Sequence, residues 1–277
     1  MECEDIEHLY KKVHEASGTL FEKECGLIEE ALAFSFASYT ELAKTAKLDE
    51  RKKYLLAFFY RNCVYLSATY HLARKGMLDP AGNNMRTVFE TIIWQYAYLS
   101  DDAIYGNFKE IDALEGEKLK SIKEKKWSNT KERALENLRR KFSFQKMMKT
   151  LYSKEVFEKF FFNQYWAFCQ KSHSSIFGLN YNTPTMDCGT TLDRGQDELK
   201  GNLSALLYLL SENLICFLNC FSKSMAQEKI DQMLALTNKI NKNIVPALSL
   251  APDTKKLEFV IRFKEIGQNQ GNPSRSR

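Results

Sequence analysis

The chain has 277 residues, of which 44% are hydrophobic and 27% charged, so it can bury a sizeable core and is not globally disordered. Only 12 glycines and 5 prolines are present, and this scarcity of turn-forming residues argues against an all-β sandwich or barrel. The net charge of +5 permits contact with nucleic acid or an acidic surface but does not require either.

Helical periodicity dominates the first part of the chain. We predict a short helix over residues 4–16 that ends near Gly18, and a long helix over residues 19–46. Asp49 is expected to cap a third helix, which ends at Gly76.

A fourth helix is predicted to start at Asp79-Pro80 and to extend to about Ser100. It is apolar nearly all round, which is typical of a central, buried helix. Its predicted core stripe consists of Met85, Val88, Phe89, Ile92, Tyr96 and Leu99. Its narrow polar face consists of Thr87, Thr91 and Gln95.

Residues 107–153 carry many charges and few apolar side chains. Between Lys109 and Lys141 there are eleven Lys or Arg residues and seven Asp or Glu residues. Such a segment can be a basic patch that binds phosphates, or a solvated helical hairpin that protrudes from the core. We favour the hairpin, with its turn at Ser128-Asn129.

The second half of the chain is predicted to begin with an aromatic helix over residues 154–172. A long irregular stretch follows over residues 174–197. A core helix is then expected over residues 198–224. Its apolar part is long enough to cross a membrane, but Ser211, Glu212 and Asn213 lie at the middle, where a lipid bilayer disfavours them. We therefore predict a buried core helix and no membrane insertion.

The C-terminal part is predicted to form a polar-flanked helix from about 227 to 243. Residues 253–266 are expected to form a short strand or helix, and residues 267–277 a disordered tail. No linker separates two domains, so residues 1–266 are expected to form a single helical domain with the charged hairpin as an insertion.

Seven cysteines occur at irregular spacing and without a CxxC pair. This pattern predicts that the cysteines are free thiols and that the protein lies in a reducing cytoplasm. The N-terminal sequence MECEDIEHLYKK contains no apolar segment, so we expect no secretory signal.

Several common site motifs are absent from the sequence. There is no GxxxxGK[ST] loop, GxGxxG turn, HExxH motif or GxSxG elbow. The four histidines have no convincing metal-ligand spacing, so we expect neither a metal nor another cofactor.

Residues 61–71, RNCVYLSATYH, resemble the motif of the helical HEPN ribonucleases, which act without a metal as dimers. The resemblance implies roles for Arg61, Asn62 and His71. Nine residues separate Arg61 from His71, whereas the family's gap is about half as long. The alternative is that Arg61 and His71 are separate, partly buried polar residues.

Cys169 and His173 lie four residues apart on the predicted aromatic helix, on the same face as Tyr165. A Cys–His pair can act as nucleophile and base. We favour a structural or substrate-positioning role for His173, which lies at the C-terminal end of that helix.

Arg86 and Glu90 lie one helical turn apart, beside the core stripe of the fourth helix. They are either an exposed ion pair of small energetic value or a pair held in a mostly buried groove. A buried pair needs further hydrogen bonds. The candidate partners are Asn83, Asn84, Tyr165, Lys171 and His173.

The sequences RTVFE at 86–90 and YWAFCQKSH at 165–173 resemble an uncharacterised group of prokaryotic all-helical proteins, a domain of unknown function. The match covers about residues 55–175, and Cys169 stands where that group's pattern has a small hydroxyl residue. The resemblance implies an Arg-x-x-x-Glu helix paired with a later Tyr…His helix. It also associates the chain with phage-defence or toxin systems.

We therefore predict an all-α fold, an irregular bundle of about seven to nine helices with a protruding charged helical hairpin. Its expected function is that of a cytosolic helical binding protein with a polar interhelical site. The expected ligand-binding residues are Arg86, Glu90, Tyr165, Lys171 and His173, and the catalytic candidates are Arg86, Glu90 and His173. The alternatives are a metal-independent ribonuclease or nucleic-acid-processing toxin, and a non-catalytic scaffold. A homodimer and an RNA or protein partner remain open.

Overall fold

The computed structural model describes residues 3–45, 47–124, 127–141, 144–160, 165, 191–244 and 250. Ten α-helices and a short 3-10 helix lie in these ranges, and no strand occurs within them. The predicted all-α class is therefore confirmed.

The helices follow one another with short connections. In chain order they are α1 (Cys3–Leu20), α2 (Glu22–Thr45), α3 (Glu50–Arg74), α4 (Leu78–Ser100), α5 (Asp102–Glu124), α6 (Asn129–Lys141), α7 (Phe144–Leu151), α8 (Lys154–Phe160), α9 (Thr191–Phe221) and α10 (Gln227–Asn241). The count exceeds the predicted seven to nine because of α7. This short helix buries Met147, Met148 and Leu151, three apolar residues inside a stretch that we assigned to the charged hairpin.

Helix α4 lies at the centre of the bundle, as predicted. It packs against α3, α5, α7 and α9. All members of the predicted core stripe are fully buried except Leu99, which is half-buried. The predicted polar face is wrong for Thr91 and Gln95, which are also buried, because α3 and α9 enclose α4 on more sides than an amphipathic stripe implies.

Helix α9 is the second central element and packs against α2, α3, α4 and α10. Among the described helices it alone is long and apolar enough to cross a membrane, yet 83% of its apolar window is buried inside the fold. Ser211, Glu212 and Asn213 are fully buried within it. Helix α9 is therefore a buried core helix, as the sequence predicted.

The boundaries of α9 differ from the prediction. The helix begins at Thr191, so the predicted irregular stretch is wrong for residues 191–197. This first part exposes Gln196, Asp197 and Glu198, so it carries no apolar periodicity that would reveal a helix. Residues 174–190 lie outside the described residues, as do residues 253–277.

Helix α1 continues through Gly18, where the sequence predicted its end. A Cβ atom at Gly18 would lie 2.7 Å from Nη2 of Arg74. The glycine thus makes room for a guanidinium group and does not end the helix. Arg74 donates hydrogen bonds to Ser17 Oγ (3.0 Å), to the carbonyl of His14 (2.9 Å) and to the hydroxyl of Tyr70 (3.0 Å).

Both predicted ends of α3 are confirmed. The Asp49 carboxylate accepts a hydrogen bond from the backbone N–H of Lys52 at 2.8 Å, which is an N-cap interaction. Gly76 follows the helix with a φ of 76°, a left-handed conformation that glycine adopts at little cost.

Helices α5 and α6 form an antiparallel pair that begins at Asp102, five residues before the predicted start of the hairpin. Three ion pairs join the two helices: Lys118 to Glu132 (2.7 Å), Lys131 to Glu117 (2.6 Å) and Arg139 to Glu115 (2.7 Å). Three of the eleven basic residues counted between Lys109 and Lys141 thus face acidic partners on the opposite helix, which fits a solvated hairpin better than a phosphate-binding patch.

Candidate functional site

Helix α4 presents Arg86 and Glu90 on one row at the edge of the core. Nε of Arg86 donates a hydrogen bond to Oε1 of Glu90 at 2.9 Å. The two side chains are 27% and 29% exposed, respectively. Because most of each side chain is buried, the pair matches the mostly buried alternative from the sequence and not the exposed one.

The hydroxyl group of Tyr165 bridges the two charged side chains. It donates a hydrogen bond to Oε1 of Glu90 at 2.8 Å and accepts one from Nη2 of Arg86 at 3.3 Å. The guanidinium carbon of Arg86 also lies 5.5 Å from the centroid of the Tyr165 ring, within cation–π range. We call Arg86, Glu90 and Tyr165 the Arg86 cluster.

Two phenylalanines fix the ring of Tyr165. Phe89 of α4 stacks on it with 5.9 Å between ring centroids, and Phe144 of α7 lies 4.8 Å away. Phe89 and Phe144 also contact each other edge-to-face at 6.4 Å. The bridging hydroxyl is therefore positioned by packing from two helices, and the cluster holds a cation and a carboxylate in a fixed relative orientation.

The structure tests only part of the predicted site. It brings Arg86, Glu90 and Tyr165 together, whereas Lys171 and His173 lie outside the described residues. Cys169 lies outside them too, so the proposed Cys–His pair stays a prediction. Asn83 is exposed, and its backbone carbonyl accepts a hydrogen bond from Thr87 within the helix.

The residues that resemble the ribonuclease motif lie in different environments. Arg61 is exposed and lies over the ring of Tyr65 at 5.4 Å. His71 is also exposed. Asn62 is instead fully buried and belongs to a network of core amides.

That amide network was not predicted. Asn62 Nδ2 donates hydrogen bonds to Gln95 Oε1 at 3.0 Å and to Asn213 Oδ1 at 2.9 Å, and Gln95 Nε2 donates to the carbonyl of Leu55 at 3.2 Å. The network ties α3, α4 and α9 together inside an apolar core. These buried hydrogen bonds fix the relative position of the three helices. Within the described part of the chain, Oδ1 of Asn62 is buried and accepts no hydrogen bond. The sequence offered one signal, the polar triplet in the middle of α9.

A second unpredicted arrangement holds Leu250. Its backbone N–H donates to the buried carboxylate of Glu212 at 2.9 Å, and its carbonyl accepts from the hydroxyl of Tyr152 at 2.5 Å. Burial, reinforced by the nearby Glu212 carboxylate, holds the pKa of Tyr152 well above its ordinary value, so the hydroxyl remains a donor. Leu250 is thereby fixed to the core at both of its backbone polar groups.

The four cysteines whose side chains are described are buried free thiols: Cys25, Cys63, Cys216 and Cys220. Burial raises the pKa of Cys63 to about 12, which makes this thiol a poor nucleophile. Among the described side chains, no group of three His, Cys, Asp or Glu residues is placed to hold a metal ion.

Comparisons with known proteins identified no relative of this chain. The chain matches no protein-family model, no curated protein and no solved structure.

Proposed function

We propose that this protein is a cytoplasmic helical binding protein whose ligand site is the Arg86 cluster. The ligand would carry an anionic group, a carboxylate or phosphate, beside a hydrogen-bond donor. One observation carries the proposal: Tyr165 holds Arg86 and Glu90 in a single geometry, yet more than a quarter of each charged side chain remains exposed.

The physical case rests on preorganisation. A guanidinium group suits carboxylate and phosphate recognition because its donors lie in one plane. In the cluster this group is oriented by Glu90 and by the ring of Tyr165, so less side-chain entropy is lost when a ligand binds. The Glu90 carboxylate repels a bare anion, and it therefore selects a ligand whose own donor can face it.

The cellular location is part of the proposal. Four buried free thiols are what a reducing compartment maintains, which supports the cytoplasm. The resemblance of segments 86–90 and 165–173 to an all-helical prokaryotic group extends the proposal to phage-defence or toxin systems. The competing function is a scaffold in which the Arg86 cluster only holds α4 in place.

Thermal-shift measurements with nucleotides and with amino-acid-like carboxylates test the proposal. We expect at least one compound to raise the Tm of the wild-type protein, and the shift to disappear in Arg86→Ala. Arg140→Ala is the matched control, because Arg140 also forms an i,i+4 pair with a glutamate, Glu136, but on the exposed face of α6. This control should retain the full shift.

Two outcomes would contradict the proposal. If no compound shifts the wild-type protein and Arg86→Ala only lowers the Tm, the cluster is a structural clamp. If the protein cleaves RNA without divalent metal and Arg86→Ala abolishes cleavage, the ribonuclease alternative replaces binding. Expression of the same two variants in a bacterial host shows whether any toxicity depends on Arg86.

A further inference from the structure

Helix α3 carries an exposed stripe that the Arg86 cluster does not use. Two of the four exposed large hydrophobic residues in the described part of the chain lie on it, Tyr60 and Val64, at 43% and 42% exposure. The exposed residues of this face are Lys53, Ala57, Tyr60, Arg61, Val64, Ala68 and His71. Their spacing of mostly three and four residues places them along one side of the helix. We call this face the α3 stripe.

The apolar part of the α3 stripe combines large and small side chains, which lets a second helix pack closely against it. Tyr60 is held against α2, with its ring centroid 4.6 Å from that of Tyr39 and 6.1 Å from that of Phe36. The neighbouring apolar positions of the stripe, on either side of Tyr60 and Val64, are the small residues Ala57 and Ala68. Large side chains at Tyr60 and Val64 with small ones at Ala57 and Ala68 form the kind of ridge and groove through which helices pack.

The charge of the α3 stripe has one sign. After Glu50, α3 contains no aspartate or glutamate. Arg51 pairs with Asp102 and Arg74 lies close to Glu29, but Lys53 and Arg61 make no ion pair within the described part of the chain. Positive charges therefore border an apolar strip.

We infer that the α3 stripe docks an amphipathic helix of another protein, one that presents apolar residues flanked by aspartate or glutamate. Charge complementarity selects this occupant, because acidic flanks would face Lys53 and Arg61. A second copy packed through the same stripe would place like charges together. RNA is disfavoured, because Ala57, Val64 and Ala68 offer its phosphates neither donors nor charge. The inference does not depend on the proposed ligand site.

A designed peptide tests the inference directly. The probe is a labelled helical peptide of about three heptads with leucine at its apolar positions and glutamate at the flanking positions. A second peptide differs only in carrying lysine in place of each glutamate. Fluorescence anisotropy should show binding of the glutamate peptide alone to the wild-type protein, with an affinity that falls as salt rises.

Two variants and two matched controls locate the binding surface. Val64→Asp should raise the Kd of the glutamate peptide about tenfold or more. Arg61→Glu should shift preference towards the lysine peptide. Leu119→Asp and Arg133→Glu introduce the same acidic residues at exposed positions of α5 and α6 and should leave the Kd unchanged. Circular dichroism should show the helix content of the wild-type protein in all four variants.

Several results would overturn the inference. A glutamate peptide that shows no binding to the wild-type protein at concentrations up to about 100 µM would refute it, because a specific docking site should bind more tightly than that. Equal binding of the lysine peptide, or unchanged binding in Val64→Asp and Arg61→Glu, would also refute it. A dimer that dissociates on Val64→Asp would assign the surface to a second copy. RNA of about twelve nucleotides that binds and is lost in both variants would assign it to nucleic acid.

Discussion

The hydroxyl group of Tyr165 lies 2.8 Å from Oε1 of Glu90 and donates a hydrogen bond to it. Tyr165 and Glu90 are 75 residues apart in the sequence. This hydroxyl group also contacts Arg86, so it orients both charged side chains of α4. Its contribution to the free energy of unfolding can be measured by removing it alone.

Tyr165→Phe removes the hydroxyl but keeps the ring that packs on Phe89 and Phe144. We expect the free energy of unfolding to fall by about 1.5–3 kcal/mol, because the lost hydrogen bond is made to a charged group. Urea denaturation measures this change. Tyr60→Phe is the control, since Tyr60 is exposed and should change stability by less than about 0.5 kcal/mol. Equal effects of the two substitutions would show that the bridge contributes nothing.

Gly18→Ala tests whether Arg74 requires the glycine. The new methyl group would meet Nη2 of Arg74 at 2.7 Å and displace the guanidinium from its hydrogen bonds. We expect a net loss of about 1–2 kcal/mol, although alanine favours a helix over glycine by about 1 kcal/mol. Thermal and urea denaturation both report the difference.

Gly26→Ala is the matched control for that substitution. Gly26 also lies within a helix, α2, but a Cβ atom there would have no neighbour within 4 Å. Only the helix propensity changes, so this variant should be more stable by about 0.5–1 kcal/mol. If both alanine variants are stabilised alike, Arg74 accommodates the methyl group and the steric argument is wrong.

The Arg86 cluster shows how far the sequence could anticipate the site. Arg86 and Glu90 lie four residues apart on a helix, so their pairing follows from helical geometry alone. Tyr165 is one of five candidate partners that the sequence offers, because its side chain carries a hydrogen-bonding group. The supporting ring of Phe144 was missed, because α7 lies within a stretch dominated by charge.

The core amide network shows what the sequence could not supply. Asn62 bonds to Gln95 and Asn213, which are 33 and 151 residues away. Gln95 was assigned to a polar face because it follows Thr87 and Thr91 at four-residue spacing. Only the packing of three helices around it shows that this side is enclosed. Periodicity reports which residues share a face, but not how many neighbours cover that face.

Tyr152→Phe tests the attachment of Leu250 to the core. The substitution removes the donor to the Leu250 carbonyl and leaves a buried acceptor unsatisfied. We expect a loss of about 1–3 kcal/mol in urea denaturation. The control is Tyr65→Phe, at a half-buried position on α3, which should cost less than about 0.5 kcal/mol.

Hydrogen exchange measures the same attachment locally. The Leu250 amide should exchange faster in Tyr152→Phe than in the wild-type protein. An unchanged exchange rate would show that Glu212 alone holds this residue.

The α5–α6 pair should lose stability in acid through Glu132. The Glu132 carboxylate accepts hydrogen bonds from Lys118 Nζ at 2.7 Å and from Trp127 Nε1 at 2.6 Å, and these contacts lower its pKa below the ordinary value of 4.5. Because the pKa in the folded state is the lower one, the stabilisation is fully present above pH 4.5. It is lost as the pH falls through the folded-state pKa.

The indole N–H resonance of Trp127, assigned by its absence in Trp127→Phe, reports this titration in NMR spectra. We expect the resonance to move as the pH falls below 4.5, because protonated Glu132 is a weaker acceptor. Glu132→Gln should abolish the movement. Glu136→Gln, which alters only the exposed pair with Arg140, should preserve it. A resonance that titrates identically in both variants would mean that another acid controls the indole, and the contact between Trp127 and Glu132 would not govern the acid response of these helices.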